Sequence, residues 1–313
     1  MKIFQVIPLC LISLYTYSQE VLPTAPSIKN TVQYLASDKM KGRGTGSKEN
    51  TKAAKYVAKQ FKKYKLQPMG TDGFYQPFTA KVRRVVVPDS LRKTNNVIGF
   101  LDNGAENTVV IGAHFDHLGM GNQGSSKDEA PEGKIHNGAD DNASGVAGLL
   151  ELVKYFSTNE SKESNNFLFI GFGAEELGLL GSKHFVENPT FPLSKINFMI
   201  NMDMIGRYNA QRGVGIGGYG TSPNWPEIFK DVTAKVKFFT DRAGKGGSDH
   251  GSFYAKNIPV LFFHTGGHDD YHKPTDDFNK IDAVSEAEIL KLEIKLIENA
   301  LKLPKLEFSE VGK

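Results

Sequence analysis

Thr108-Val109-Val110-Ile111-Gly112-Ala113-His114-Phe115-Asp116-His117 opens the stretch that decides the fold. After a glycine-rich polar loop it continues as Asn137-Gly138-Ala139-Asp140-Asp141-Asn142-Ala143-Ser144-Gly145. A β-branched apolar run ending in His-x-Asp predicts a buried strand that delivers an imidazole and a carboxylate to its C-terminal end. Open α/β sheets keep their ligand sites at that end. Asp141 stands just ahead of Val146, Leu149, Leu150 and Val153, whose spacing places them on one helix face, so its carboxylate is expected at a helix N-terminus. Both halves aim their polar ends at one place, where a metal ion would sit.

Working outward, the alternation of strand and helix patterns from Asn95 onward predicts an α/β fold, three layers with a mostly parallel mixed central sheet covered on both faces. Residues 95–101 and the continuous apolar run Phe167-Leu168-Phe169-Ile170 are expected strands, as are residues 196–202, ending at Asp203, and residues 258–263. Residues 74–87 alternate apolar and polar side chains, as an edge hairpin or antiparallel strand does. Helices are expected over residues 27–36, along the stripe Ala54, Val57, Ala58 and Phe61, and over residues 225–236 and 248–254. The last helix carries a capping box of Ser285 with Glu288, an apolar stripe at Leu290, Ile294, Ile297 and Leu301, and a stop at Pro304. Lys41-Gly42-Arg43-Gly44-Thr45-Gly46-Ser47 lacks the Gly-Lys-Ser/Thr of a phosphate loop and is expected to be a plain connector. Residues 119–134 are expected to form a polar surface loop, with His117 and His136 as surface loop residues, either of which could contact a substrate.

Composition bounds the function. With 313 residues, 39% hydrophobic and 23% charged, the chain is long enough to bury one large core, and a single domain is expected over residues 19–313. Residues 1–18 have the basic start and brief apolar run of a secretory signal peptide, too short to span a bilayer, with cleavage before Gln19. Cys10 is the only cysteine, and Ile7-Pro8-Leu9 ahead of it lacks the small residues of a lipid-attachment motif. The mature chain therefore has no disulfide, thiolate metal ligand or cysteine nucleophile. An exported protein, periplasmic or secreted, is expected, without a membrane span once the signal is removed. A net charge of +3 with scattered lysines gives no nucleic-acid footprint.

Several element ends now offer chemistry: His114 with Asp116, Asp141, Glu175 with Glu176, Asp203, and Tyr271-His272 ahead of Lys273-Pro274-Thr275-Asp276-Asp277. A lone buried carboxylate is usually a cap or half of an ion pair. Clustered carboxylates repel and resist ionisation unless a dication joins them. Two imidazoles and three carboxylates exceed one tetrahedral zinc and suit two ions sharing a carboxylate. Asp140 is expected to cap the helix that Asp141 opens, although the two could exchange roles. His264 and His268 are alternatives to His272 as the last ligand, and Ser248-Asp249 by itself reads as an N-cap pair.

On these motifs the chain resembles the co-catalytic two-zinc aminopeptidase family (bacterial leucyl aminopeptidase-like), whose relatives include glutamate carboxypeptidases, glutaminyl cyclases and the transferrin-receptor ectodomain. The resemblance runs from Leu35 to Asp277. It implies a zinc-exopeptidase-like fold with residues 19–313 as a metallopeptidase catalytic domain, and a peptide as substrate. It also implies two Zn2+ ions, for which Mn2+ or Co2+ are possible substitutes given oxygen and nitrogen donors. By the resemblance His114 binds one ion and Asp116 orients it, Asp141 bridges, Asp203 completes the first ion, and Glu176 with His272 holds the second. Glu175 is then the general base, taking a proton from the metal-bridged water, and Tyr271 the candidate oxyanion donor. Geometry favours dividing the neighbouring glutamates, because adjacent residues leaving a strand project to opposite sides.

The leading expectation is an exported aminopeptidase removing N-terminal residues from peptides. The alternatives are a carboxypeptidase or dipeptidase of the glutamate carboxypeptidase type, or a receptor-like scaffold without catalysis. A glutaminyl cyclase, a branch with a single zinc, fits a two-metal set less well.

Overall fold

The computed structural model describes residues 21–159 and 161–311, so the expected signal segment and Cys10 lie outside the described residues. Among these residues one sheet runs in the order β1-β3-β5-β4-β6-β9-β7-β8, with β2 paired to β3. Its centre is β5 (Asn166–Phe172), β4 (Thr108–His114), β6 (Ile196–Met202) and β9 (Val260–His264), all mutually parallel. β3 (Leu91–Leu101) runs antiparallel to β5 and carries β1 (Gln67–Pro68) and β2 (Tyr75–Lys81), while β7 (Val214–Gly217) and β8 (Phe238–Thr240) close the other side.

The central strands are buried along their whole length, so their sequences are apolar throughout, and their side chains alternate between two cores. Val109, Ile111, Phe167 and Phe169 pack into one core with α1 (Ala25–Leu35), α2 (Lys48–Lys63), α3 (Gly145–Thr158) and α7 (Ala283–Ala300). Val110, Leu168, Ile170 and Phe172 face the opposite core, with Phe185 and Val186 of α4 (Leu180–Glu187) and Phe253 and Tyr254 of α6 (His250–Tyr254). This is the expected three-layer α/β arrangement, with β3 differing from a continuous parallel run because it returns as a hairpin from β2.

Several local expectations change. The helix expected over residues 225–236 is the short α5 (Trp225–Phe229); the chain leaves it at Asp231, which has a left-handed φ of 58°. The weak helix formers Asp231-Val232-Thr233 do not sustain it. The helix expected over residues 248–254 begins at His250, and Asp249 makes no side-chain cap bond. α7 begins ahead of the expected capping box, because the Asp282 carboxylate accepts from the Ser285 backbone N–H at 3.1 Å and Glu288 pairs with Lys291 instead.

The buried face of α7 carries Glu286 and Glu293, whose carboxyl oxygens have no hydrogen-bond partner among the described residues. Burial pushes both carboxyls well above the usual range, and for Glu286 the nearby Asp140, Glu293, Glu151 and Asp282 add to it. Such groups stabilise the fold at acid pH and lose that contribution as pH rises from the ordinary carboxyl value through the raised one. Glu293→Gln should therefore flatten the fall of Tm with rising pH above about 4.5. Melting curves with the same pH slope in both proteins would contradict this.

Candidate metal centre

The parallel strands empty onto one edge. β4 ends at His114, β6 ends just before Asp203, and β5 leads through Gly173 and a left-handed Ala174 (φ 57°) into Glu175 and Glu176. Asp141 comes from a wide helical turn, Ala139–Ser144, ahead of α3, rather than from the first turn of the helix itself. Gly138 makes that approach possible: its φ is 59°, and a Cβ there would stand 2.4 Å from the His117 ring. The Asp276 carboxylate accepts from the backbone N–H groups of Asp140 and Asp141 at 3.0–3.1 Å and holds the turn.

The turn separates the two aspartates. Asp140 faces away, accepting from the Gly206 N–H at 2.7 Å and the Ser144 hydroxyl at 3.1 Å, with His268 Nε2 3.1 Å from its other oxygen. Asp141 faces the cluster. Its Oδ1 lies 3.4 Å from His114 Nε2, and its Oδ2 lies 3.1 Å from His272 Nε2 and 3.9 Å from His117 Nδ1. His114 Nε2 is also 3.3 Å from Asp203 and 3.9 Å from Glu175 Oε2, while Glu176 stands 3.2 Å from His272 and 2.8 Å from His117. Two sets of donors result, His114 with Glu175 and Asp203, and His117 with Asp141 and Glu176, each with its atoms within 4.8 Å of one another.

The donors fit a pair of divalent ions. Ligands about 2.0–2.2 Å from a tetrahedral zinc stand roughly 3.3–3.6 Å apart, close to the separations around His114 and His272. His117 Nδ1 and Glu176 Oε1 are 2.8 Å apart without hydrogen-bond alignment, and neither of these buried atoms has a hydrogen-bond partner among the described residues. Two buried ligand-type atoms this close with no aligned hydrogen bond between them fit a shared cation. The remaining ring nitrogens are engaged behind the cluster: His114 Nδ1 is 3.2 Å from the Asp116 carbonyl, and His272 Nδ1 donates to the Ser125 carbonyl at 2.8 Å, leaving Nε2 forward in each.

Electrostatics divides the neighbouring glutamates. Burial pushes Glu175 well above the usual carboxyl range; His114 opposes this, while Asp203, Glu176 and Asp249 add to it. Glu176 is also buried and repelled by Asp141, yet His272 and His117 hold it down at about 2. Burial disfavours charge on Asp141 as well, but hydrogen bonds to His114 and His272 bring it well below its ordinary value. His272 is correspondingly pushed up to about 11, with Glu176 and Asp141 outweighing burial. The carboxylates and imidazoles of the cluster thus favour one another's charged forms, and a metal cation bound there would take over that role from protons.

Of the other candidates, Asp116 is fully buried, accepting from the Thr45 hydroxyl and the Glu175 N–H, each at 3.0 Å, with its carboxylate 3.8 Å from His114 Nδ1. The Tyr271 ring stacks on His272 at 3.9 Å, with the Lys127 ammonium 4.2 Å from its centroid. His264 stacks on Phe262 and His268 serves Asp140, and neither belongs to the two donor sets among the described residues. Asp249 is buried, pushed up to about 7 by burial with Asp203 and Asp116 adding, and its oxygens lack hydrogen-bond partners among the described residues.

Some expectations are corrected. His117 and His136 are buried rather than exposed, and His117 belongs to the cluster. Its position three residues beyond His114, at the turn out of β4, was the available signal. The loop over residues 119–134 is only partly a surface loop, since Gln123 and Ser125 are buried and the Ser125 carbonyl supports His272. The Lys41–Ser47 segment is no plain connector, because Arg43 is fully buried behind the site.

Residues 96–297 match the sequence model of Peptidase family M28. A leupeptin-inactivating enzyme from Streptomyces exfoliatus is 30% identical over 258 residues, 80% of this chain and 52% of that protein. A probable leucine aminopeptidase from Trichophyton verrucosum is 29% identical over 179 residues, 54% of this chain and 45% of that protein. The chain thus spans about half the length of these relatives. In three dimensions it resembles a zinc aminopeptidase from Bacillus subtilis (TM-score 0.69, 18% identity, 94% of this chain and 100% of that one). A Bacteroides thetaiotaomicron glutaminyl cyclase is equally similar in fold (TM-score 0.69, 19% identity, 89% of this chain and 99% of that one). All the clustered carboxylates and imidazoles lie inside the matched span, and similarity at this level continues across most of the sequence, so the chain belongs to peptidase family M28.

Proposed function

We propose that residues 19–313 form one catalytic domain of an exported zinc-dependent exopeptidase, an aminopeptidase that removes N-terminal residues from peptides. The observation that carries the reading is the placement of Asp141, whose two oxygens face separate imidazoles, His114 at 3.4 Å and His272 at 3.1 Å. His114 and Asp203 would hold one ion, Glu176 and His272 the other with His117 alongside, and Asp141 would be shared. Bound there, two zinc ions would supply Lewis acidity toward the scissile carbonyl and lower the pKa of water at the site.

The chain's own residues then handle protons and position. Glu175, raised in proton affinity by burial, accepts a proton from the attacking water and returns it to the leaving amine. The fixed carbonyls behind His114 and His272 keep both rings in one tautomer and orientation. Tyr271, stacked on His272, would donate toward the developing oxyanion. Leucine aminopeptidases among the relatives support an apolar N-terminal residue as the preferred substrate feature.

Metal analysis of purified protein followed by paired substrates tests the reading. Two zinc ions per chain and hydrolysis of free-amine dipeptides and aminoacyl arylamides, with no cleavage of N-blocked dipeptides, are expected. Stoichiometry near one at saturating zinc, or preferential cleavage of the N-blocked set, would replace this reading with a single-zinc or carboxypeptidase-type one.

A further inference from the structure

The Lys41–Ser47 segment folds back under the metal centre with left-handed backbone at Lys41, Gly42 and Arg43 (φ 43°, 63° and 49°). Gly42 is pressed against the neighbouring loop, where a Cβ would stand 2.2 Å from the His136 carbonyl oxygen. This turns the Arg43 side chain inward, with no exposed surface. Among the described residues its guanidinium pairs with no carboxylate. Nε donates to the Phe115 carbonyl at 2.9 Å, one terminal nitrogen donates to the Leu35 and Asn137 carbonyls at 2.7 and 2.6 Å, and the other donates to Gly138 at 3.0 Å.

Three of those carbonyls belong to the two arms of the site, and the fourth, Leu35, ends α1. Phe115 lies between His114 and Asp116, and Asn137-Gly138 is the lead into Asp140 and Asp141. From the same segment the Thr45 hydroxyl donates to Asp116 Oδ2 at 3.0 Å. A planar guanidinium can satisfy four carbonyls in fixed directions, which the point charge of a lysine cannot.

We propose that Arg43 is a positioning residue that sets the separation between the His114 arm and the Asp141 arm, with Thr45 fixing Asp116, so that zinc affinity depends on this segment. The inference rests on the two-metal reading above. Coulomb forces alone make the opposite prediction, because removing a buried cation should favour a nearby dication. A staple serving only the fold predicts a lower Tm with unchanged affinity in the folded protein.

The test compares the full chain with Arg43→Lys, Arg43→Met and Thr45→Val by zinc competition against a chromogenic chelator, by the visible spectrum of the cobalt-loaded proteins, and by melting of the metal-free forms. Outer partners of metal ligands typically change affinity 10- to 100-fold. Both Arg43 variants should bind zinc at least ~10-fold more weakly with an altered cobalt spectrum, lysine failing to rescue because it keeps the charge and loses the fork. Thr45→Val should show a smaller loss confined to one ion. Unchanged or tighter zinc binding in folded Arg43→Lys overturns the proposal. If Arg43→Met does not fold, Arg43→Lys and Thr45→Val decide, and normal affinity in both overturns it. A wild-type chain that binds no zinc would instead sink the two-metal reading, and this inference with it.

Discussion

Glu175→Gln is expected to lower turnover by about 10²- to 10⁴-fold, the range of a positioned acid or base, while leaving zinc content and Tm nearly unchanged. The amide keeps the size and hydrogen-bonding capacity of the carboxylate but cannot take a proton. Its backbone is held independently by Asp116, which accepts from the Glu175 N–H, so the substitution should not move the loop. Glu176→Gln should behave differently. Its carboxyl is held at about 2 by His272 and His117 and is surrounded by ligand-type atoms, so losing its charge should release an ion as well as activity. Two adjacent carboxyls pushed in opposite directions by their surroundings are the signature of divided roles. The competing possibility is concrete, because Glu175 also lies within 4.8 Å of His114 and Asp203 in a potential ligand set. Zinc analysis and peptide hydrolysis on the two variants side by side separate them: a Glu175→Gln protein that has shed zinc makes Glu175 a ligand, and one that stays active removes it from the mechanism.

The central strands were legible because burial on both faces leaves an unbroken apolar run, and a polar residue at the end of such a run has few places to go. Hence His114, Glu175, Glu176 and Asp203 could be placed on one sheet edge from residue order alone. Asp141 was legible for a related reason, since the apolar stripe of α3 fixes where its preceding loop must arrive. What escaped depends on backbone that departs from regular periods. Arg43 is turned inward by a left-handed run that a Lys-Gly-Arg-Gly string does not announce, and its partners are carbonyls, which every residue carries. His117 looked like loop because it follows the strand end, yet Gly138 lets it pack against the Asp141 turn. The shortened α5 and the Asp282 cap show the same limit on a smaller scale, where neighbouring residues compete for one local structure.

Asp141→Ala should abolish binding of both ions, whereas Asp203→Asn should weaken mainly the ion shared with His114. The difference follows from position. Asp203 has one short contact in the cluster, 3.3 Å to His114 Nε2, and is partly exposed. Asp141 is buried, and each of its oxygens serves a different imidazole, so no neighbour can substitute for it on both sides. The alanine should also destabilise the metal-free protein. His114 is raised well above the ordinary imidazole value, and His272 to about 11, chiefly against the pull of burial and by surrounding carboxylates that include Asp141. Removing one partner of a buried, charged pair costs about 3–5 kcal/mol. Zinc titration should therefore give two ions for the wild type, close to one for Asp203→Asn and none for Asp141→Ala, with Asp141→Ala melting well below Asp203→Asn even in chelator. An Asp141→Ala chain that still holds one tightly bound zinc would show that the two donor sets are independent and that this carboxylate is not shared.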